Sequence, residues 1–454
     1  MPPEETDGCA PVGDGFFADQ HAHYRRWRES GGGVHKVRFP GDAALEGWLI
    51  TGHADCRAAL ADPRLRKDAA TERFAAHLGL TGGGPGRGLT AHMLNSDPPR
   101  HTRLRRLVQG AFTARRTAAL RPLVEARVTA LLDGWDAAGA EEVELIGELA
   151  LPLPLAVVLD LLGAPGSARH VRVRGNTRSP EENHEPNGTN KTDGTSGTNG
   201  TDAEISVRTA ESLLAHLRAL VEEKREHPAD DLLSALLAAR DDGERLSGEE
   251  VTSMAFLLVV AGHQTTVNLI ANGFHALLQH PAQLAALRAD PSLVHGAVEE
   301  VLRHESPSGI ASLRYTAEPV EIAGTTIPAG EFVQIGLLAA NRDPAVFDDP
   351  DRFDITRDAS RHLAFGHGIH HCLGAPLARL QAEIAFTHVL RRYPELRPAE
   401  RYGAGPADGS PWQPNARHRG LRTLPVRLRR RPDTPAAPSP ASQSPAVSAD
   451  THSR

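Results

Sequence analysis

Cysteine is nearly absent from this chain: Cys9, Cys56 and Cys372 are the only three. That excludes a disulfide framework, and the odd number leaves at least one sulfur unpaired. Aromatic residues are also sparse, at 4% of 454 residues, while alanine, leucine and arginine dominate, a balance that favours helices. A positive charge excess is missing too: the net charge of −7 gives no sign of nucleic-acid binding. Long hydrophobic runs are lacking. The longest lies around 254–262, far short of a membrane span, and the apolar stretch 149–163 is interrupted by Pro152, Pro154 and Asp160. The N-terminus is acidic and proline-rich, without the apolar core of a secretion signal. Together these absences predict a cytoplasmic protein with no nucleic-acid partner and no membrane contact.

What is present suits a sizeable core. Hydrophobic residues make up 40% of the chain, and its length fits about three average domains or one large one. Periodicity predicts helices over 98–112, 117–138, 148–163, 204–226, 229–240, 248–280, 281–289, 291–304 and 373–393. Ser247 and Glu250 have the spacing of a capping box at the start of the longest. Strands are expected to be short: 34–39, 46–51 and pieces of 312–336, where Gly324 and the Pro-Ala-Gly at 328–330 signal turns. Residues 1–14 read as a disordered leader and 428–454 as a disordered tail. Residues 175–203 are built from Asn, Gly, Thr, Ser and acidic residues and read as a flexible insertion between helices. The sequons at Asn187, Asn190 and Asn199 are what such low complexity produces by chance. The remaining span, 15–427, is expected to form a single large domain, mainly α with small β-sheets.

Chemistry concentrates in the run 365–374, Phe-Gly-His-Gly-Ile-His-His-Cys-Leu-Gly. Cys372 sits in a glycine-rich turn directly before an amphipathic helical pattern. A cysteine at a helix N-terminus meets free backbone N–H groups and the positive end of the helix dipole, which favour the thiolate. A thiolate held this way suits a soft or redox metal, haem iron first among them. Gly366 and Gly368 permit backbone angles that other residues resist, and Gly374 lets the helix start approach a flat ligand. Two other readings stay open: a buried inert cysteine, and a zinc site using His367, His370, His371 and Cys372. Zinc ligands usually come as spaced pairs from two segments, and no Cys-x-x-Cys or His-x-x-x-His partner occurs elsewhere.

The run resembles the haem-binding loop of the cytochrome P450 family, Phe-Gly-x-Gly-x-His/Arg-x-Cys-x-Gly, and meets every fixed position. The resemblance implies Cys372 as the axial ligand of haem iron, Phe365 packed beside the sulfur, and His370 at a haem propionate. About 110 residues earlier stands Ala261-Gly262-His263-Gln264-Thr265-Thr266. Ala261 and Gly262 share a helix face with Thr265, and small residues there leave room for a flat cofactor. A mid-helix threonine can bond back to the carbonyl four residues earlier and open the helix locally. Alone, the segment reads better as an ordinary buried helix with small packing residues. In this position it is similar to the family's dioxygen-binding groove, Ala-Gly-x-Asp/Glu-Thr. Gln264 replaces the family's acid: it can orient water but cannot ionise, so proton delivery is expected to run through Thr265 and ordered water.

Other positions follow the same resemblance. Glu300 and Arg303 in Glu-Glu-Val-Leu-Arg, then Arg352 in Pro-Asp-Arg-Phe, then the cysteine loop, resemble the family's structural triad and its order. His101 and Arg105, one helical turn apart, and Arg314 resemble its propionate-binding positions. Arg115, Arg116 and Arg379 would add a basic patch for an acidic electron donor. Substrate contacts would come from 73–95, the region around 170–205, and 308–313. The resemblance covers about 15–427 and implies the cytochrome P450 fold, haem b, a monomer, and a hydrophobic small molecule plus dioxygen as substrates. Electrons would come from a separate ferredoxin and ferredoxin reductase drawing on NAD(P)H. The motif wording is similar to actinobacterial members. That points to hydroxylation or epoxidation of a specialised metabolite (a polyketide or macrolide, terpenoid or peptide) in antibiotic biosynthesis. The rivals are a haem-thiolate enzyme that uses peroxide, couples phenols or rearranges a skeleton, and a non-enzymatic haem or zinc binder.

Overall fold

The computed structural model describes residues 10–13, 15–39, 46–77, 91–164, 199–240, 243–400 and 411–429. Its organising element is the helix Gly248–Gln279, which starts with the expected capping box: Ser247 Oγ accepts from the Glu250 amide, and the Glu250 carboxylate accepts from the Ser247 amide. The helix is long and apolar enough to cross a membrane by length and composition, but most of its apolar window is covered by protein. Its C-terminal half packs Ile270, Phe274 and Leu277 against Ala382, Phe386 and Val389 of the helix Ala375–Arg392 and against Val128 and Leu132 of Arg121–Ala137. Its N-terminal half packs Val251, Met254 and Ala255 against Leu104 and Val108 of Arg100–Gln109 and Leu217 and Val221 of Asn199–Glu226.

Between these halves the helix is bare on one side. Val260, Ala261 and Gly262 are exposed, and a Cβ built on Gly262 would meet nothing within 4 Å. At Gly273 the opposite holds: a Cβ there would lie 2.2 Å from Cζ of Phe386, so glycine is what lets the two core helices approach. The small residues thus serve opposite ends, open space in one case and close packing in the other.

The strands are short and marginal to the helices. The main sheet runs β1 (Ala10–Pro11), β2 (Val34–Arg38), β3 (Glu46–Ile50), β9 (Phe332–Ile335), β6 (Arg314–Thr316), β4 (Leu65–Arg66). A three-stranded sheet joins β10 (Arg397–Pro398), β11 (Pro425–Arg427) and β5 (Glu142–Glu144). A hairpin joins β7 (Val320–Ile322) to β8 (Thr325–Ile327) through Ala323 and Gly324, at φ 48° and 76°. Two positive φ values in a two-residue loop match the right-handed twist of the strands it connects.

Three boundary expectations change. The leader 1–14 is not wholly disordered: Ala10 and Pro11 pair with Val37 and Arg38, and Val12 is buried. Residues 199–203, assigned to the insertion, form the first turn of the helix Asn199–Glu226, while 175–198 lie outside the described residues. The tail begins later than 428, since Leu428 is buried and donates its amide to the carbonyl of Glu141; residues 430–454 lie outside the described residues.

Candidate active site

The cysteine loop is folded by its glycines. Gly366 and Gly368 have φ 72° and 73°, in the region that side chains resist. A Cβ on Gly368 would also press on Cα of Ala61 at 3.2 Å. The turn is closed by the Cys372 amide donating to the carbonyl of Phe365 at 2.9 Å. Backbone amides of Gly374 and Ala375, at the start of the helix, bond the Cys372 sulfur.

Cys372 keeps accessible surface, yet burial dominates its acidity and raises the thiol above its ordinary value. The amides at the helix start and the charges of Arg105 and Arg379 lower it, and they offset burial only in part. Deprotonation then calls for a cation in contact with the sulfur. Among the described residues no group of three His, Cys, Asp or Glu side chains is placed to hold a metal ion, so the zinc reading finds no support. Cys56, by contrast, is an inert core thiol, its pKa raised by burial.

A cationic corner lies beside the loop. The rings of His101 and His370 are 4.4 Å apart between centroids. Both nitrogens of His101, Nε2 of His370 and Nε of Arg314 are buried without a hydrogen-bond partner. Burial, with Arg314 and Lys67 beside it, pulls His370 down to about 2, and burial pulls Arg314 down to about 10. Lys67, which nothing in the sequence had marked, is fully buried, and its Nζ donates to Oγ of Ser312. Burying this many basic groups is costly unless an anion joins them. Asp97 is the nearby acid, but its carboxylate is taken by Arg66 and by the amides of Lys67 and Asp68. A ligand with two carboxylates and a soft iron centre fits this donor set: cations and orphaned donors on one side, a cysteine sulfur on the other. Arg105 stands nearby, donating to the carbonyl of His371 at 2.9 Å.

On the long helix Thr265 Oγ1 donates to the carbonyl of Ala261 at 2.8 Å, as expected, but the helix continues without a break. Gln264 donates to Oδ1 of Asn268 at 3.0 Å and lines a small pocket with Ile146, Leu151 and Leu421.

The structural triad is corrected. Glu300 and Arg303 form a fully buried two-pronged pair, with both bonds at 2.7 Å. The side chain of Arg352 turns outward to Asp354, and only its carbonyl joins, accepting from Arg303. The second guanidinium near Glu300 is that of Arg357, 3.6 Å away. Sequence reasoning also missed Glu305. Its buried carboxylate meets Arg419, Arg342 and His21, tying the C-terminal segment to the start of the chain. In the proposed electron-donor patch, Arg379 is already paired with Glu299 and stacked on Phe365 at 4.6 Å, which leaves it less available.

Comparison with known proteins places these features. A family profile described as cytochrome P450 matches residues 199–400. Cytochrome P450 107B1 of Saccharopolyspora erythraea is 46% identical over 420 residues, covering 91% of this chain and 96% of that protein. The cytochrome P450 monooxygenase PikC of Streptomyces venezuelae is 45% identical over 432 residues, covering 92% and 93%. The solved structure of the tirandamycin C-bound P450 monooxygenase TamI superposes with a TM-score of 0.77 at 38% identity, covering 92% of this chain and all of that one.

Proposed function

This chain belongs to the cytochrome P450 family, and from that premise we propose that it oxygenates a hydrophobic specialised metabolite, a polyketide or macrolide foremost. It is a P450 monooxygenase with a haem-iron cofactor. The observation that carries the site is the cationic corner beside Cys372, whose buried donors have no partners of their own. The cofactor is read as haem b, whose propionates would be held by His101, Arg105, Arg314, His370 and the newly found Lys67. Cys372 would be the iron ligand, fixed by the amides of Gly374 and Ala375. When bound, the haem supplies the redox chemistry of oxygen insertion.

The chain's own groups do the rest. Ala261 and Gly262 leave the bare helix face for dioxygen and substrate. Thr265 is positioned to pass a proton, its hydroxyl held by the Ala261 carbonyl. Gln264 is held by Asn268 and supplies no ionisable group, so it orients and does not titrate. Arg352 is removed from the proposed set, and Glu300, Arg303 and Arg357 take the structural role. Electrons are read as coming from a separate ferredoxin and reductase, and the enzyme as a cytoplasmic monomer. A relative in Bacillus subtilis, 36% identical and named as the polyketide biosynthesis cytochrome P450 PksS, supports the polyketide reading.

The test is the ferrous–carbon monoxide difference spectrum of the wild type beside Cys372→Ser. A strongly red-shifted Soret band, lost in the variant, is the expected result. A haem band without that shift in the wild type would overturn the thiolate assignment.

A further inference from the structure

Two adjacent acids on the helix Val294–His304 have different partners. Glu300 turns into the buried pair with Arg303. Glu299 meets groups of the cysteine loop and of the helix that follows it. Its two oxygens accept from Nε and Nη2 of Arg379 at 2.6 and 2.9 Å, a two-pronged contact that fixes the plane of the guanidinium. Its Oε2 also lies 3.3 Å from Nε2 of His362. Nδ1 of His362 accepts from the Ala364 amide at 3.2 Å, so in the neutral ring the proton sits on Nε2, facing the carboxylate.

Both partners of Glu299 rest on one aromatic ring. Cζ of Arg379 lies 4.6 Å from the centroid of Phe365, and the ring of His362 is tilted against the same side chain at 5.9 Å. Phe365 in turn holds the residue that carries the sulfur, because its carbonyl accepts from the Cys372 amide at 2.9 Å. The chain of contacts therefore runs from one carboxylate, through a cation and an imidazole, to the ring and backbone that fix the cysteine. The Glu299 side chain is 13% exposed and that of Arg379 27%, so water screens this pair less than it screens an ion pair on the surface. Arg379 is also one of two guanidiniums whose charge reaches the Cys372 sulfur, the other being Arg105. A cation near an iron–sulfur bond favours the reduced metal, which carries one positive charge fewer, and an anion beside that cation opposes it.

We propose that Glu299 is a positioning residue for the haem-thiolate centre: it fixes Arg379 on Phe365, offsets the charge of that guanidinium, and so sets how readily the iron accepts an electron. This rests on the haem-thiolate reading and deepens it. It also makes Arg379 an internal part of the site in place of a contact for an electron donor.

The test is the ferric–ferrous midpoint potential of the haem-loaded full chain at neutral pH, titrated with dithionite and small soluble mediators. One electron is added to the iron and no group is transferred. No donor protein is present, so docking contributes nothing, and the potential is read on the haem-bound fraction alone. Glu299→Gln leaves the charge of Arg379 uncompensated and is expected to favour the ferrous state about threefold or more over the wild type. Arg379→Gln removes the cation and leaves the carboxylate, and is expected to disfavour the ferrous state by a similar factor. The double variant removes both charges and is expected to return to within about twofold of the wild type. A merely structural residue would lower the urea midpoint and leave the potential in place. Unchanged potentials in both single variants would overturn the proposal, as would shifts of the same sign, or a double variant no closer to the wild type than the singles. Where Glu299→Gln holds no haem, Arg379→Gln decides: a lowered potential supports the proposal, and an unchanged or raised one overturns it. The ferrous–carbon monoxide band of the wild type judges the haem-thiolate reading by itself, so the two ideas fail separately.

Discussion

Replacing Gly273 with alanine tests how the two core helices set the site. The added methyl would stand 2.2 Å from Cζ of Phe386 and 3.0 Å from Cε1. Carbon atoms settle at about 3.5–4.0 Å, so the ring must retreat by more than about 1 Å. Phe386 is fully buried and packed edge-on against Phe274 at 5.0 Å, with no open side to retreat into. Overpacking of this kind costs about 1–3 kcal/mol. The better helix propensity of alanine returns about 1 kcal/mol. A net loss of up to about 2 kcal/mol is therefore expected, read as a lowered urea midpoint by far-ultraviolet circular dichroism. Phe386→Leu alone is expected to cost about 1–2 kcal/mol through lost packing. In the double variant the alanine methyl occupies space the ring has left, so the two losses should fall short of their sum by about 1 kcal/mol or more. Because Phe386 lies on the helix that begins after Cys372, Gly273→Ala should also reduce the fraction of protein with the thiolate-type ferrous–carbon monoxide band. Strict additivity, or an alanine variant more stable than the wild type, would refute this account of the crossing.

Glu300→Gln leaves Arg303 buried without its carboxylate and is expected to cost about 3–5 kcal/mol in urea unfolding, whereas Arg352→Ala should leave the midpoint nearly unchanged because the Arg352 side chain is exposed to solvent. Burial pushes the Glu299 carboxyl up, but His362 and Arg379 outweigh it and hold it at about 2. A folded pKa below the unfolded one means that this stabilisation is complete above about pH 4.3 and lost as pH falls toward 2. Glu299→Gln should therefore lower stability at neutral pH and flatten the acid limb of the unfolding curve. Gln264→Glu places an ionisable group beside Asn268, and altered peroxide leakage and pH dependence of turnover are expected; unchanged coupling would remove this position from proton delivery.

Much of the site was legible because it lies in contiguous, constrained stretches. The cysteine loop needs glycines at fixed offsets, and the structure puts Gly366 and Gly368 at positive φ. The helix Gly248–Gln279 has both a long apolar pattern and a cap, and its predicted limits differ from the observed ones by a residue. Other elements left weaker traces. Gln20–Glu29, His53–Ala61 and Asp68–His77 are short helices rich in His, Ala and charged residues, and their burial is decided by distant partners. Strands of two residues, such as Leu65–Arg66, are below the length at which alternation can be read. Arg352 and Arg357 lie in irregular chain, where no periodicity says which guanidinium turns inward. Lys67 was missed for a related reason: a single basic residue looks solvated until the fold encloses it.

In the C-terminal segment that Arg419 anchors to Glu305, the backbone bonds of the turn at 415–418 have an evolutionary consequence. The turn is set by main-chain groups, by Asn415 and by the anchor of Arg419 in Glu305, none of which involves the side chain at 417. The shape of the turn is therefore independent of the side chain carried at 417. A lineage can change that side chain through a single codon, without first acquiring compensating changes in the core.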